Sequence, residues 1–239
     1  MKKIFKIISL LTFTFYSTFV YSNLARAVEA SSYINTIYAV NLCGPGSSLT
    51  ACVGPVVLGS TTAGTTFDLG SVTAGASAGN MGNLSAAVSG TTYSFAQVIL
   101  SRAFTVTGEA GAAGGSNRCR TETDNEFDVS SPSVVLGAND TAAAESQVIG
   151  IPSGTIPSNM IGTTSITGLD GADNSSGNGN IADAEPRVKF RFALTAPITI
   201  VQGKLPTFTI AFDLSDALTF GGSCAATPSA PSVTASFSN

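Results

Sequence analysis

Residues Arg187–Leu194 read RVKFRFAL, and their alternation decides the fold. Val188, Phe190, Phe192 and Leu194 fall on one side of an extended chain, and Arg187, Lys189 and Arg191 fall on the other. Successive side chains of a strand point to opposite faces, so this period of two predicts a strand with one face in a core and the other in water. The pattern recurs outward from there. Downstream, Ile198–Val201 is short and apolar, and Phe208, Ile210, Phe212 and Leu214 align within Thr207–Leu214. A Pro-rich link, Thr227–Pro231, leads to a last strand with Val233, Ala235 and Phe237 in register. Upstream, Tyr93–Thr107 carries Val98, Leu100, Phe104 and Val106 on one face and Gln97, Ser101, Thr105 and Thr107 on the other. Arg102 interrupts the apolar face, which predicts a bulge or a break there.

Ile34–Leu42, Val53–Leu58, Thr65–Leu69, Ser133–Leu136 and Gln147–Ile151 complete the set of expected strands. Gly70–Gly82, Gly108–Asp128 and Leu169–Ala184 are small, polar or glycine-rich and read as loops. No long stretch beyond the N-terminal segment has helical spacing. Many short alternating strands between turns predict an all-β fold, an antiparallel β-sandwich of Greek-key or jelly-roll kind with long Gly/Ser/Asn-rich loops.

The N-terminal segment decides the compartment. Lys2, Lys3 and Lys6 make a positive head, Ile7–Val20 is uncharged and mostly apolar, and Ala25-Arg26-Ala27 offers small residues in the A-x-A spacing. Head, apolar middle and exit together predict a secretory signal peptide over residues 1–27, with 28–239 as a single β-sandwich domain. Cleavage after Ala27 leaves 212 residues (239 − 27) with 7 basic and 15 acidic groups, a net charge of −8. Such an acidic chain repels nucleic acid and anionic lipid, so neither is an expected partner. No second apolar run is long enough to span a bilayer. With 44% hydrophobic and only 11% charged residues, the chain lacks the composition of a disordered one.

All four cysteines, Cys43, Cys52, Cys119 and Cys224, lie beyond the signal segment. An even count in an exported chain predicts two disulfides. Of the three pairings, Cys43–Cys52 with Cys119–Cys224 is preferred, because the first closes a short Gly/Pro/Ser loop and the second ties a central loop to the C-terminal region.

Chemistry is sparse. The chain has no His and no Trp, so the commonest general base, the commonest transition-metal ligand and the usual sugar platform are missing. No enzyme is expected; a secreted hydrolase would need an acid pair in a cleft. Asn174–Glu185, reading NSSGNGNIADAE, is the one constellation with a chemical logic. Its spacing resembles an EF-hand loop, with Asn174, Ser176, Asn178, Asn180 and Glu185 at oxygen-ligand positions and Gly179 at the sharp turn. Position 1 is Asn rather than Asp, position 9 is Ala182, and Pro186 follows, which opens a strand. A weak Ca²⁺ loop between strands is the functional reading; a Gly/Asn hairpin without an ion is the other. Arg118 and Arg120, beside Glu122, Asp124 and Glu126, read as a solvated loop with local ion pairs.

Two functional expectations follow. The first is an exported structural or adhesive surface protein, a filament- or pilus-like subunit that joins copies of itself by β-strand addition through its end segments, Ile34–Leu42 and Ser232–Ser238. In composition the chain resembles chaperone-assembled pilins, without a shared motif or cysteine spacing. The second is an extracellular module that binds a surface glycan, protein or other ligand through its loops, stabilised by Ca²⁺. N-terminal sequencing of the exported protein is expected to begin at Val28; a chain that retains Met1 would make the apolar run an anchor instead.

Overall fold

Val, Ile, Thr and Phe at alternate positions hold most of the chain extended, because branched and aromatic side chains pack well on a pleated surface. A computed structural model describes residues 26–71, 84–111, 118–128, 131–132, 134–136, 142–151, 153–155, 164–170, 180–182, 184–204, 207–221, 224–228 and 232–238. Residues 1–25, within the expected signal segment, lie outside them.

The described strands, in chain order, begin with β1 (Arg26–Val28), β2 (Ser32–Cys43), β3 (Val56–Asp68), β4 (Thr92–Ser101), β5 (Ala103–Thr107) and β6 (Glu109–Ala110). Next come β7 (Arg118–Arg120), β8 (Asp124–Asp128), β9 (Ser131–Pro132), β10 (Val134–Leu136), β11 (Gln147–Gly150), β12 (Gly154–Thr155) and β13 (Thr164–Leu169). The last are β14 (Asn180–Ile181), β15 (Arg187–Thr199), β16 (Thr207–Asp213), β17 (Leu218–Phe220), β18 (Ala225–Pro228) and β19 (Ser232–Ser238). Among the described residues the only helical piece is a 3₁₀ turn, Leu84–Ala86.

The largest sheet runs β13-β15-β4-β2-β5-β11-β8, with β3 on the other side of β2. Every pairing is antiparallel except β11 with β8. Register carries the core across it: Val40, Val98, Phe190 and Ile166 stand opposite one another on β2, β4, β15 and β13, and all four are buried. A smaller sheet, β1-β17-β18-β9, adds Leu218, Phe220 and Ala226 to the same buried cluster. Two antiparallel layers over one apolar cluster make the arrangement sandwich-like.

Several segments differ from expectation, among them Ile198–Val201, whose first two residues end β15, and Leu169–Ala184, which contains β14. The expected strands Val53–Leu58 and Thr65–Leu69 share one strand, β3, which takes residues 56–58 of the first and 65–68 of the second, and the residues between them form a bulge. Ile37 pairs with Thr65 but Ala39 pairs with Ser60, so Thr61–Gly64 stand opposite Tyr38 alone. Gly64 has φ +77°, and a Cβ there would overlap the Thr36 methyl and press on the Tyr38 ring. In the expected Pro-rich link, Thr227 and Pro228 belong to β18, while residues 229–231 lie outside the described set. The expected loop Gly108–Asp128 contains β6, β7 and β8.

Both disulfides form as paired above. Cys43–Cys52 has a Cα–Cα distance of 5.0 Å and closes 9 residues; Cys119–Cys224 has 5.4 Å and closes 105. In the chain-entropy model, closing the longer loop removes about 4.7 kcal/mol of denatured-state freedom and the shorter about 2.6 kcal/mol. Urea unfolding should therefore show a larger loss for the double variant Cys119→Ser/Cys224→Ser than for Cys43→Ser/Cys52→Ser. Equal losses would mean that native packing, not loop length, sets both contributions.

Candidate functional site

Arg102 falls on the core face by parity, two residues beyond Leu100 and two before Phe104. A guanidinium cannot be neutralised, so burying it requires acceptors for its fixed donors. The chain supplies them by breaking the strand. β4 ends at Ser101, β5 starts at Ala103, and Arg102 between them is 3% exposed. Its Nε donates to the Ile151 carbonyl at 2.6 Å, and its Nη1 to the carbonyls of Ala182 at 3.1 Å and Glu185 at 3.4 Å. Its backbone N–H donates to the Pro186 carbonyl at 2.9 Å, and its own carbonyl accepts from the Ile151 N–H at 3.2 Å. On the opposite edge, Asn35 Nδ2 bridges the break, donating to the carbonyls of Ser101 (3.1 Å) and Ala103 (3.2 Å). The sheet forks here: β2 holds one edge of β4 and β5, while the other edge passes from β15 to β11.

The Ca²⁺-loop candidates converge on this fork only in part. Asn174, Ser176, Asn178 and Gly179 lie outside the described residues. Asn180 is in β14, opposite Thr155. Glu185 is buried; its Oε2 accepts the Ala182 N–H at 2.6 Å, and its own N–H donates to the Ala182 carbonyl at 3.1 Å. The carboxylate thus closes the turn ahead of β15 and lies on the backbone of Gly168 in β13, where a Cβ would overlap it. Among the described residues, no three His, Cys, Asp or Glu side chains gather as a metal site.

Arg191 corrects the expectation of a solvated face on β15. It is 5% exposed, with Nε and Nη2 on Gln97 Oε1 (3.3 and 2.9 Å) and Nη1 on the Leu49 carbonyl (2.6 Å). Asn41, Gln97 and Arg191 form a buried polar row across β2, β4 and β15, and the Cys43–Cys52 loop folds over it. Desolvation under that loop lowers the Arg191 pKa. Its neighbours stay half-exposed, and the Arg187 guanidinium sits 3.9 Å above the Tyr38 ring.

The charged patch at Cys119 has the expected ion pairs but not the expected solvation. Arg118, Cys119 and Arg120 form β7 between β6 and β10, and all three are buried. Arg118 pairs with Glu109. Arg120 Nη2 reaches Glu122 Oε1 at 2.9 Å, Nη1 donates to the Ala143 carbonyl at 3.1 Å, and Glu145 Oε1 lies 3.8 Å away. The disulfide to Cys224 pins this short strand, which sequence periodicity could not reveal in three residues. Glu145 is held below its usual pKa by the Thr123 hydroxyl and N–H, and then by Arg120. A lowered carboxylate stabilises the fold at neutral pH and loses that contribution as pH falls through its folded pKa; on this exposed side chain the contribution is small.

No described protein family, characterised protein or solved structure matches the chain. Its residues alone define the class: an all-β, disulfide-tied scaffold whose sheet forks around a buried arginine. Arg102→Leu should destabilise the protein by about 3 kcal/mol in urea unfolding, because buried carbonyls lose their donor. Arg102→Lys should recover only part of that loss, since an ammonium cannot reproduce the guanidinium fork. A neutral Arg102→Leu would mean the fork is held by β-pairing alone.

Proposed function

We propose that the chain is an exported structural or adhesive surface protein whose copies join by β-strand addition. The observation that carries this reading is the use made of buried charge. Arg102, Arg191, Arg118, Arg120 and Glu185 each go to backbone groups or to neighbouring side chains within the sheets. Such groups brace a scaffold; none of them faces another in the acid–base or nucleophile–base geometry that chemistry requires. Two disulfides fit a compartment outside the reducing cytoplasm. Among the described residues no helix is long and apolar enough to cross a membrane.

The end segments are engaged within the chain. Ile34–Leu42 lies in β2, between β3 and the β4–β5 strand, and β19 pairs along its length with β16, where Phe208 stacks on Phe237 at 4.7 Å. β2 is thus paired on both edges, whereas β19 has β16 on one edge.

The alternative is an extracellular module that binds a glycan or other ligand and is braced by Ca²⁺ at Asn174, Ser176, Asn178, Asn180 and Glu185. Negative-stain electron microscopy of the exported protein at high concentration, with Ca²⁺ and with a chelator, separates the two. Regular fibres or arrays in both conditions are the expected result. Single compact particles, with a melting temperature that falls on chelation and no longer does so in Glu185→Gln, would favour the binding module.

A further inference from the structure

The large sheet is bounded by three strands, and they differ in how they meet their surroundings. β8 carries Asp124, Glu126 and Asp128 in its five residues. β13 is buried from Ile166 to Leu169. β3 is the longest of the three, and among the described residues only β2 pairs with it. Its Ser60, Thr62, Ala63 and Thr66 are exposed, and Val57 is 48% exposed, with Val53 at 49% just ahead of the strand. Protein sheets protect open edges with charge, proline, bulges or cover, because a bare edge offers its amides and carbonyls to any extended chain. β3 has two register shifts against β2 and no charged residue of its own between Val56 and Phe67, though the Arg187 guanidinium donates to the Thr62 carbonyl at 3.5 Å. The charge-free stretch is longer still: from Ala30 to Ser101 the only ionisable acid or base among Asp, Glu, Lys and Arg is Asp68. Asp68 is turned to local use, accepting from the Ser32 hydroxyl (3.1 Å) and from the N–H groups of Tyr33 and Gly70 (3.0 Å each).

We propose that the outer edge of β3 is the joint between copies, pairing antiparallel with β3 of a second copy about a two-fold axis. This rests on the self-association reading above and names the surface that serves it. Charge selects the occupant. The exported chain carries a net charge of −8 (7 basic, 15 acidic), so two copies repel on most approaches. Only Glu29 and Asp68 of those acids precede residue 102, so the β2–β3 edge is the side on which a second copy meets least like charge. An antiparallel pair is self-complementary under a two-fold, so β3 needs no other sequence to match it. Val57 and Val53 bring exposed apolar surface to each end of the joint. Strand-edge pairing alone buries less than the roughly 1,200 Å² of a stable interface, so the dimer should be reversible and concentration-dependent. A two-fold joint closes on itself, and longer arrays need a second contact.

Sedimentation equilibrium of the exported protein, from micromolar to millimolar concentration, tests this. The wild type is expected to show the dimer as the first species beyond the monomer as concentration rises. Thr62→Lys, at the middle of the strand, should weaken dimerisation by about tenfold or more, since the two-fold brings the added like charges together there, and Val57→Lys should weaken it by removing apolar surface near the strand's end. Val201→Lys, which alters a 54% exposed valine outside β3, should leave it unchanged. Circular dichroism unchanged in all three variants establishes that each is folded. A wild-type dimer unaffected by both β3 variants would overturn the β3 joint and leave self-association standing. A monomer throughout the range would overturn both.

Discussion

The structure depends on the burial of one cation. Arg102 lies in a strand whose flanking inward residues, Leu100 and Phe104, are core, so the chain cannot extend through it without placing a guanidinium in apolar surroundings. The idealised cost of desolvating such a group is of order 20 kcal/mol, far above what one strand's packing returns, so the charge must be met by dipoles. Breaking the strand supplies them. The carbonyls of Ile151, Ala182 and Glu185 converge on the side chain, and they belong to the segments that leave β11 and enter β15. The fork therefore fixes where two strands share one edge, and through them the positions of β13 and β8.

Similar logic operates at two other places, each secured by a disulfide. Arg191 is buried with Gln97 and Asn41 because the Cys43–Cys52 loop lies across that face and contributes the Leu49 carbonyl. Arg118 and Arg120 are buried because Cys119, between them, is tied to Cys224 beside the smaller sheet. In both cases a crosslink pins a segment beside cations that are buried and paired to nearby oxygens. The unpaired buried acceptors Asn35 Oδ1 and Asn41 Oδ1 both lie on β2.

Charge is distributed unevenly over the edges of the sheet. The acids cluster after Arg102, and one bounding strand, β8, carries three of them in sequence, whereas β3 has none before Asp68. A sheet with one acidic, one covered and one neutral edge is asymmetric in its capacity to meet another chain.

The sequence by itself determined the class of fold and the crosslinks. Period two in Arg187–Leu194, Tyr93–Thr107 and Thr207–Leu214 reports which side of a strand is apolar, a local property of the pleat. The break at Arg102 was legible because a charge on an apolar stripe has few local solutions. The cysteine pairing was legible because a short Gly/Pro/Ser loop brings Cys43 and Cys52 together and leaves the other two. Only the tertiary structure decided that Arg191 is dry, that Arg118–Arg120 is a strand, that the two candidate strands from Val53 to Leu69 are one, and that Glu185 holds its own turn. Three of these depend on a partner distant in sequence: Leu49 for Arg191, Cys224 for β7 and Tyr38 for the bulge of β3; Glu185 is buried against Gly168 while it closes its turn on Ala182. Periodicity records the face a residue takes; what covers that face is set by residues far along the chain, which local pattern does not encode.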